Sequence, residues 1–432
     1  MRLTVIGTGY LGATHAAAMA ELGHDVLGLD VDDLKVKRLN AGEVPFFEPG
    51  LPELLARGLH SGRLRFTTSY EDVGAFGEVH FICVGTPQKK GEYAADLSHV
   101  DDAVHSLLGV LREGAVVVGK STVPAGTAQR LAADIADAGG ELVWNPEFLR
   151  EGFAVRDTLE PDRIVLGVGS PRGAAVLRDV FAPVVAAGTP VIETDYATAE
   201  LVKVAANAFL ATKISFINAM AEVCEVTGAD VTLLARALSH DERIGGKFLH
   251  AGLGFGGGCL PKDIRAFMAR AGELGVDQAL TFLKEIDAIN LRRRARMVDL
   301  AREVCGGSLA GVRVGVLGVA FKPNSDDIRD SPALDVALAV QRAGAAVRVH
   351  DPQAMENARR EFATLAYASS ALEAASGADI VLHLTEWAEF RDLDPAELAG
   401  VVSQRRIVDG RNALDPVRWR DQGWTYRALG RP

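Results

Sequence analysis

The first thirty residues contain the pattern that most narrows the possible folds of this chain. Residues 3–6 (LTVI) form a short apolar run, the motif GTGYLG follows at residues 7–12, and an alanine-rich helical segment extends to Gly23. A second apolar run, DVLGLD, ends at Asp30. A strand, a glycine-rich turn, a helix, a strand and a terminal carboxylate are the parts of a βαβ dinucleotide-binding unit in their required order. The pattern predicts a parallel, doubly wound α/β domain.

Each of these residues has an expected task at a dinucleotide. Gly7 makes the tight turn, Gly9 lets the pyrophosphate approach the backbone, and Gly12 lets the helix pack closely on the strand. The free N–H groups at the helix N-terminus then face the phosphates. Asp30 is expected to bind the adenosine ribose, and with two further acids just downstream it would repel a 2′-phosphate, which favours NAD over NADP. The alternative for Asp30 is a solvated carboxylate at a strand end.

Two later apolar segments also end in polar turns. FICVGTP places Thr86 and Pro87 beyond a strand, and AVVVGKSTVPAGT does the same for Ser121 and Thr122. Ligands of open parallel sheets lie outside the carboxyl ends of the strands, so we expect these hydroxyls to contact the cofactor. Alternatively, Thr122 caps a helix that begins near Gly126.

Composition limits the class of protein. A chain of 432 residues allows two or three domains, and 48% hydrophobic with 24% charged residues is typical of a globular protein. The net charge of −11 argues against nucleic acid or an anionic membrane as the main partner. The four cysteines show neither metal-ligand spacing nor a disulfide framework, which indicates a reducing compartment. With no signal peptide and no run of 18 apolar residues evident, we expect a cytoplasmic protein without metal.

Strands are predicted near residues 163–168 and 191–192, and the middle of the chain after them is predicted to be helical. Residues 198–228 form one long, mostly apolar helical pattern, in which Glu200, Lys203 and Asn207 share a face. That face is either exposed to solvent or lines a polar site. A second helix, predicted from Ala279 to Val304, contains the run Arg292–Arg294, for which we expect a solvated face or, alternatively, an anion site. A helical region that joins two α/β domains often forms a dimer interface.

A second α/β unit follows the linker-like segment CGGSLAG at residues 305–311. VRVGVLGVAFK opens it, strands are predicted at AAVRVHD, ADIVLHL and RRIVDG, and its first loop carries Lys322 and Arg329. Two nucleotide-binding-like domains flanking a helical middle suggest a cofactor and a nucleotide-containing substrate. The expected division is a cofactor domain at residues 1–195, a central helical region at 196–304 and a substrate-nucleotide domain at 305–432.

The segment GLGFGGGCLPKD delivers a cysteine to the start of a predicted helix, at the end of a glycine-rich loop. Pro261 suits the first position of that helix. Cys259 would then lie at the positive end of the helix dipole, with Lys262 nearby, and both features stabilise a thiolate. The alternative for Cys259 is a small apolar filler; Cys83 and Cys224 are expected to be packing residues.

Several segments together resemble the UDP-glucose/GDP-mannose dehydrogenase family, in order and across nearly the whole chain. They are GTGYLG, VGTP, STVPAGT, NPEFLREG, DERIGGKFLHAGLGFGGGCLPKD and GVAFKPNSDDIRDSP. The last two are the most specific, and DERIGGKFLHAG is closer to the branch that acts on UDP-glucose than to the GDP-mannose branch. Two positions depart from the family pattern: Gly258 replaces a common serine, and Leu11 replaces a common valine.

The resemblance implies oxidation of the C6 alcohol of UDP-glucose to a carboxylate, with two NAD+ used in succession, as in UDP-glucuronate and polysaccharide biosynthesis. The aldehyde formed first cannot lose a second hydride until a nucleophile adds to it. Addition of the Cys259 thiolate gives a thiohemiacetal, loss of hydride gives a thioester, and water releases the acid. The alternatives are another nucleotide sugar (GDP-mannose or a UDP-N-acetylhexosamine), a two-electron 3-hydroxyacid dehydrogenase, and a non-catalytic nucleotide-binding protein.

The resemblance also implies site residues at the matching motif positions. Glu147 would be the acid/base that activates water, with Asp263 assisting. Lys203 and Asn207 would stabilise alkoxide charge and orient the sugar. Thr122 completes the catalytic set, and Arg243 would act on the substrate of a neighbouring subunit in a homodimer or higher oligomer. The implied cofactor ligands are Gly7, Gly9, Tyr10, Leu11, Gly12, Asp30, Lys35, Thr86, Thr122, Glu151, Lys262 and Arg329. The implied substrate ligands are Glu147, Phe148, Leu149, Arg150, Glu151, Lys203, Asn207, Arg243, Phe248, Leu249, His250, Ala251, Gly252, Gly256 and Lys322.

Overall fold

The computed structural model describes all 432 residues and divides into two compact units. Unit 1 comprises Met1–Ala206 and Arg265–Gly275, and unit 2 comprises Asn207–Ile264 and Val276–Pro432. The division of the sequence into three domains, with boundaries at residues 195 and 304, stays a prediction.

Unit 1 alternates strands with helices. Its strands are β1 (Arg2–Ile6), β2 (Asp25–Leu29), β3 (Leu64–Thr67), β4 (Val79–Ile82), β5 (Val116–Gly119), β6 (Glu141–Trp144), β7 (Ile164–Val168) and β8 (Val191–Thr194). Its helices are α1 (Tyr10–Glu21), α2 (Asp33–Asn40), α3 (Leu51–His60), α4 (Tyr70–Phe76), α5 (Ser98–Leu108), α6 (Thr127–Asp137), α7 (Ala154–Leu159), α8 (Pro171–Val180) and α9 (Ala182–Ala186). The start of α10 (Tyr196–Thr227) and the end of α12 (Leu260–Glu273) complete the unit.

The eight strands form one sheet in the order β3-β2-β1-β4-β5-β6-β7-β8, parallel except where β6 meets β7. The strands VHFI and VVVG are buried at every position, as a parallel sheet covered by helices on both faces requires. The strand order reverses between β1 and β4, and a crevice at the carboxyl ends of such a pair is where doubly wound sheets bind ligands. A ligand site of this sheet is therefore expected at the turns that follow β1, β2, β4, β5 and β6.

Unit 2 contains the rest of α10, α11 (Val231–Ser239), the start of α12, a 3₁₀ turn (Asp277–Leu280) and α13 (Phe282–Val304). A second sheet follows, with strands β9 (Arg313–Leu317), β10 (Ala346–His350), β11 (Ala366–Tyr367), β12 (Ile380–His383), β13 (Arg406–Asp409) and β14 (Thr425–Ala428). Its helices are α14 (Pro332–Arg342), α15 (Met355–Glu361), α16 (Ala371–Ala375), α17 (Ala388–Arg391), α18 (Pro395–Ala399) and α19 (Pro416–Asp421). The strand order is β11-β10-β9-β12-β13-β14, all parallel.

The predicted fold class is confirmed: each end of the chain forms a doubly wound α/β sheet, and long helices lie between them in sequence. Four further strands that no sequence pattern had indicated belong to the two sheets, namely β3, β6, β11 and β14. β3, β11 and β14 are edge strands whose residues are only partly buried, so they lack the continuous apolar run of a central strand.

The arginine run of α13 is not the solvated face that the sequence led us to expect. The Arg293 side chain is fully buried and lies 3.1 Å from Glu225 of α10. Arg294 is nearly buried and donates to Asp330 at 2.8 Å, so only Arg292 is substantially exposed. Guanidinium groups withdrawn from water need carboxylate partners. Because carboxylates fill that need here, the run fixes α13 within unit 2 instead of binding an anion.

By length and composition alone, α10 could cross a membrane, a possibility that the sequence patterns had not indicated. Its most apolar 18-residue window has a mean hydropathy of 1.3 and is 44% buried inside the protein. Its polar side chains also bond within their own units: Glu200 accepts the N–H of Gly126, and Ser215 donates to the carbonyl of Ile286. Buried, partnered polar groups of this kind are typical of a helix in the core of a folded domain.

Candidate active site

The turn after β1 has the backbone shape that a dinucleotide pyrophosphate requires. Gly7 adopts a φ of 87°, which favours glycine. A Cβ on Gly12 would lie 1.8 Å from the carbonyl oxygen of Gly7, so only glycine allows α1 to begin so close to β1. A Cβ on Gly9 would meet nothing within 4 Å, which leaves open space in front of the N–H groups at the start of α1.

Asp30 lies directly after β2 and is only 7% exposed, so it is not the solvated carboxylate of the alternative interpretation. It accepts the N–H of Thr8 at 2.9 Å, the N–H of Asp32 at 3.1 Å and the ammonium of Lys35 at 2.8 Å. Burial by itself raises the pKa of Asp30, but these donors outweigh it and hold the pKa below its ordinary value. The carboxylate is therefore charged, and its contact with the adenosine ribose stays a prediction.

The turns after β4 and β5 are joined by a hydrogen bond from the Thr86 hydroxyl to the carbonyl of Thr122, at 2.8 Å. The suggestion that Thr122 caps α6 is wrong, because the residue before that helix is Gly126. The free N–H groups of the helix are instead satisfied by Glu200, which accepts from Gly126 at 2.7 Å and from Ala128 at 2.6 Å. Glu200 thus caps α6, and the role of Thr122 as a ligand stays a prediction.

A lysine–carboxylate pair lies at the carboxyl ends of β5 and β6. Glu147 accepts the backbone N–H groups of Phe148 and Leu149 at 2.6 and 2.7 Å, and its other oxygen is 3.1 Å from Lys120. Lys120 is 5% exposed and also donates to Asn145 at 3.0 Å. Sequence reasoning missed Lys120, although its place in GKSTVPAGT at the end of a strand was an available signal. The Glu147 carboxylate can bind a ligand or exchange a proton with it, and the nearby Lys120 balances the charge of the carboxylate.

The loop that follows, NPEFLREG, is held by aromatic and ionic contacts. The ring of Phe148 lies under two cations, Arg163 at 4.0 Å and Lys203 of α10 at 5.5 Å from its centroid. Arg150 donates twice to Asp157, which raises the pKa of its guanidinium. Lys203 is 9% exposed. This burial argues against a face exposed to solvent and agrees with the alternative, a face that lines a polar site.

The cysteine of unit 2 lies at the entrance to α12. Cys259 is exposed, and its carbonyl accepts the N–H of Asp263 at 3.0 Å, which makes it the capping residue of the helix. Pro261 is the second residue of α12 rather than the first, because the helix already begins at Leu260. Cys259 nevertheless occupies the helix N-terminus as expected, where the backbone dipole favours negative charge.

Asp263 is the centre of a buried polar cluster one turn into α12. It is 2% exposed, accepts the side-chain amide of Asn207 at 2.6 Å and accepts Lys262 at 2.6 Å. The structure therefore brings Asn207 to the neighbouring pair Lys262 and Asp263, although Asn207 lies 56 residues before Asp263 in the sequence. Such a carboxylate, fixed between an amide and an ammonium, can orient a water molecule.

The glycines of the cysteine loop make room for neighbouring chain in unit 2. A Cβ on Gly256 would lie 2.3 Å from the carbonyl oxygen of Asp330, and one on Gly252 would lie 2.7 Å from that of Gly410. The same holds at Gly258, where a Cβ would lie 2.3 Å from the guanidinium carbon of Arg329. The departure from the family serine thus coincides with a close approach of a predicted cofactor ligand.

Arg411, which sequence reasoning missed, ties the cysteine loop to two turns of the second sheet. It is nearly buried and donates to the carbonyl oxygens of Gly254 at 3.0 Å, Phe321 at 2.9 Å and Leu384 at 2.7 Å. Asn412 next to it donates to Ala251 at 3.1 Å. Arg411 and Asn412 lie in the segment DGRN at the end of β13, and this polar turn after a predicted strand is the sequence signal that could have identified them.

The predicted substrate segment at residues 248–252 is irregular backbone. Phe248 has a φ of 65°, Leu249 is buried, and His250 is exposed. The carbonyl of Ala251 and the N–H of Gly252 are both bonded within unit 2, the latter to Asn218 at 2.8 Å. This segment is therefore held at its C-terminal end, and His250 is its exposed side chain.

Two further predicted ligands, Arg243 and Arg329, carry exposed charges. Arg243 is 89% exposed and pairs with Asp241 at 2.7 Å, and Arg329 pairs with Asp327 at 2.6 Å. Lys322 lies 5.4 Å from the ring of Phe321. Their roles as ligands stay predictions.

Taken together, the glycine turn, the strand-end carboxylate and the doubly wound sheet define unit 1 as a dinucleotide-binding domain, and its residues fit NAD. In unit 2, the exposed Cys259 lies at a helix N-terminus. Comparison with known families makes the assignment specific. Three models of the UDP-glucose/GDP-mannose dehydrogenase family match in order: its NAD binding domain at residues 1–185, its central domain at 197–292 and its UDP binding domain at 315–416. The chain belongs to this family and is an NAD-dependent nucleotide-sugar dehydrogenase.

Individual relatives match over their full length. The chain is 43% identical over 438 residues to the UDP-glucose 6-dehydrogenase of Rhizobium meliloti (strain 1021), with 100% of both chains covered. A UDP-glucose dehydrogenase structure from Pyrobaculum islandicum superposes with a TM-score of 0.91 at 39% identity, covering 100% of this chain and 98% of that one. A UDP-D-ManNAc dehydrogenase structure from Pyrococcus horikoshii superposes with a TM-score of 0.86 at 27% identity, covering 100% and 99%.

Proposed function

We propose that this protein oxidises the C6 alcohol of UDP-glucose to the carboxylate of UDP-glucuronate in the cytoplasm, for the synthesis of uronic-acid polysaccharides. The observation that carries the proposal is the exposed Cys259 at the N-terminus of α12, next to the Asn207–Asp263 pair, in a chain with an NAD-binding domain. A simple two-electron dehydrogenase has no use for this thiol. The full-length relatives of Rhizobium and Pyrobaculum support UDP-glucose as the substrate.

The first oxidation needs a group that takes the hydroxyl proton and a cation that stabilises the alkoxide. NAD+, when bound, accepts the hydride in each of the two oxidations. Lys203 is the cation proposed for the alkoxide, because it is buried and therefore little screened by water. Glu147, balanced by Lys120, is proposed to take and return protons.

The second oxidation needs the thiol. The Cys259 sulfur adds to the aldehyde carbon, and a proton goes to the aldehyde oxygen, which gives a thiohemiacetal with a C–H bond from which hydride can leave. The product is a thioester bound to the enzyme. Asp263, held by Asn207 and Lys262, is proposed to orient the water that attacks this thioester, and Cys259 leaves as the thiol.

A substrate panel tests the proposal. Purified protein is given NAD+ with UDP-glucose, GDP-mannose, UDP-N-acetylglucosamine or UDP-N-acetylmannosamine, and NADH formation is followed at several concentrations of each. We expect the highest kcat/KM for UDP-glucose. A higher kcat/KM for a UDP-N-acetylhexosamine would contradict the proposal and favour the activity named for the Pyrococcus relative.

The proposed quaternary state is a homodimer formed through α10. Phe209, Phe216 and Val223 are 66%, 46% and 51% exposed and recur every seven residues, so they share one face of the helix. Large apolar side chains aligned in this way are typical of a helix that packs against another chain. Light scattering of the wild-type protein should give twice the monomer mass, and Phe216→Glu should reduce it to the monomer. A wild-type monomer would contradict this proposal.

A further inference from the structure

A buried carboxylate in unit 1 lies outside every motif that the sequence pointed to. Glu48 is 2% exposed and follows the segment VPFF between α2 and α3. One of its oxygens accepts the N–H of Gly152 at 2.6 Å and the hydroxyl of Tyr10, and the other accepts the N–H of Ala154 at 2.7 Å. A carboxylate is tolerated in a protein interior when donors compensate its charge. Here the donors come from two segments more than a hundred residues apart.

The first of these segments is the phosphate-binding turn. Tyr10 is the fourth residue of GTGYLG and the first residue of α1, and its ring lies 4.8 Å from that of Phe46. Although Tyr10 is a predicted cofactor ligand, its hydroxyl is directed to Glu48. Tyr10 therefore joins the start of α1 to the segment that carries Glu48.

The second segment is the end of the loop of residues 147–152, which contains the proposed acid/base Glu147. Gly152 has a φ of 79°, and its N–H lies 2.9 Å from the Tyr10 hydroxyl as well as 2.6 Å from Glu48. Ala154 begins α7, a helix that has no capping side chain of its own. The carboxylate of Glu48 therefore fixes the point at which the 147–152 loop ends.

We propose that Glu48 is a positioning residue that holds the 147–152 loop at a set distance from the phosphate-binding end of α1. Glu147 is thereby kept in register with the bound cofactor. The consequence for catalysis rests on the function proposed above. A reacting group misplaced by about 1 Å can lose about a hundredfold in rate, so a carboxylate that never touches the substrate can control turnover.

Glu48→Gln tests the proposal with little change in shape. The amide replaces one acceptor oxygen by an NH2 group. That group then faces a backbone N–H donor, so one of the two bonds from the N–H groups of Gly152 and Ala154 is lost. Tyr10→Phe removes a single donor and keeps the ring contact, so it serves as a milder second variant. Glu141→Gln is the matched control: Glu141 likewise accepts the N–H of Gly173 at 3.0 Å in unit 1 and belongs to no predicted site.

The first readout is steady-state kinetics of the full-length enzyme with whichever nucleotide sugar the wild type oxidises, together with the melting temperature of each variant. We expect Glu48→Gln to lower kcat by about 10- to 100-fold, with Tyr10→Phe affected less and Glu141→Gln within about twofold of wild type. The proposal is overturned if Glu48→Gln keeps kcat within twofold, or if both glutamine variants lose kcat in parallel with melting temperature.

The second readout is amide hydrogen exchange, which does not depend on activity. Peptides covering residues 147–156 should exchange at least about tenfold faster in Glu48→Gln than in the wild type. In Glu141→Gln their exchange rate should equal that of the wild type. Unaltered exchange in Glu48→Gln would overturn the proposal. If the wild-type enzyme does not oxidise UDP-glucose, the proposed substrate is wrong. The hydrogen-exchange experiment would still decide the role of Glu48 in that case.

Discussion

Acid should destabilise unit 1 through two buried histidines whose pKa values are lower in the folded protein than in the unfolded chain. His80 of β4 is fully buried, its Nδ1 is 2.8 Å from the hydroxyl of Thr4, and its Nε2 has no partner. Burial, with a smaller contribution from the charge of Arg112, lowers the pKa of His80 to about 4. His15 of α1 is also buried, neither ring nitrogen has a hydrogen-bond partner, and burial lowers its pKa well below the ordinary value.

The sign of the effect follows from where the proton binds. In the unfolded chain a histidine takes up a proton near pH 6.5, whereas the folded His80 does so only near pH 4. Falling pH therefore stabilises the unfolded state, and stability is lost from pH 6.5 down to about 4. The loss for His80 reaches about 2 kcal/mol at about pH 5 and about 3 kcal/mol at about pH 4, at roughly 1.4 kcal/mol per pH unit. His15 adds to this loss in the same direction.

The assay compares the free energy of unfolding at pH 7 and pH 5, from guanidinium titrations, for the wild type and for His80→Gln. Glutamine does not titrate, so the variant should lose about 2 kcal/mol less than the wild type between the two pH values. His105→Gln on the surface of α5 is the control and should match the wild type. Identical pH dependence in the wild type and His80→Gln would refute the reasoning.

Three further predictions concern the cofactor and the cysteine loop. Cys259→Ser should lower turnover more than about tenfold, a barrier increase above about 1.4 kcal/mol, while NAD+ and nucleotide-sugar affinities measured by calorimetry stay near wild type; a smaller loss would mean that Cys259 is not the nucleophile. Gly258→Ser should displace the Arg329 guanidinium and raise the KM for NAD+ with little change in melting temperature; an unchanged KM would show that Arg329 is not a cofactor ligand. The wild type should have a far higher kcat/KM with NAD+ than with NADP+, because the charged Asp30 repels a 2′-phosphate, and comparable values would contradict that role.

The parts of the structure that local patterns encode could be predicted from the sequence. The βαβ unit at residues 3–30 follows from periodicity and glycine spacing, and the close contact at Gly12 is a direct consequence of that spacing. The position of Cys259 at a helix N-terminus was predictable for the same reason, since proline and glycine mark helix boundaries.

The parts that depend on distant partners could not be predicted. Arg293 was assigned to a solvated face because a run of charges is usually exposed, and its partner Glu225 lies 68 residues earlier in the chain. Lys120 and Glu48 belong to no periodic pattern. Each gains its bonding partner only when a loop more than twenty residues away in sequence folds against it. Local propensity does not specify such pairings; tertiary packing does.

The central claim, a four-electron oxidation through a cysteine thioester, is tested most directly by the amount of NADH formed for each UDP-glucose consumed. The purified enzyme is given a limiting amount of UDP-glucose and excess NAD+, and the NADH and sugar nucleotide present at completion are quantified by absorbance and mass spectrometry. The account predicts two NADH per UDP-glucose, UDP-glucuronate as the product and no free aldehyde. One NADH per sugar, with the aldehyde released into solution, would contradict it.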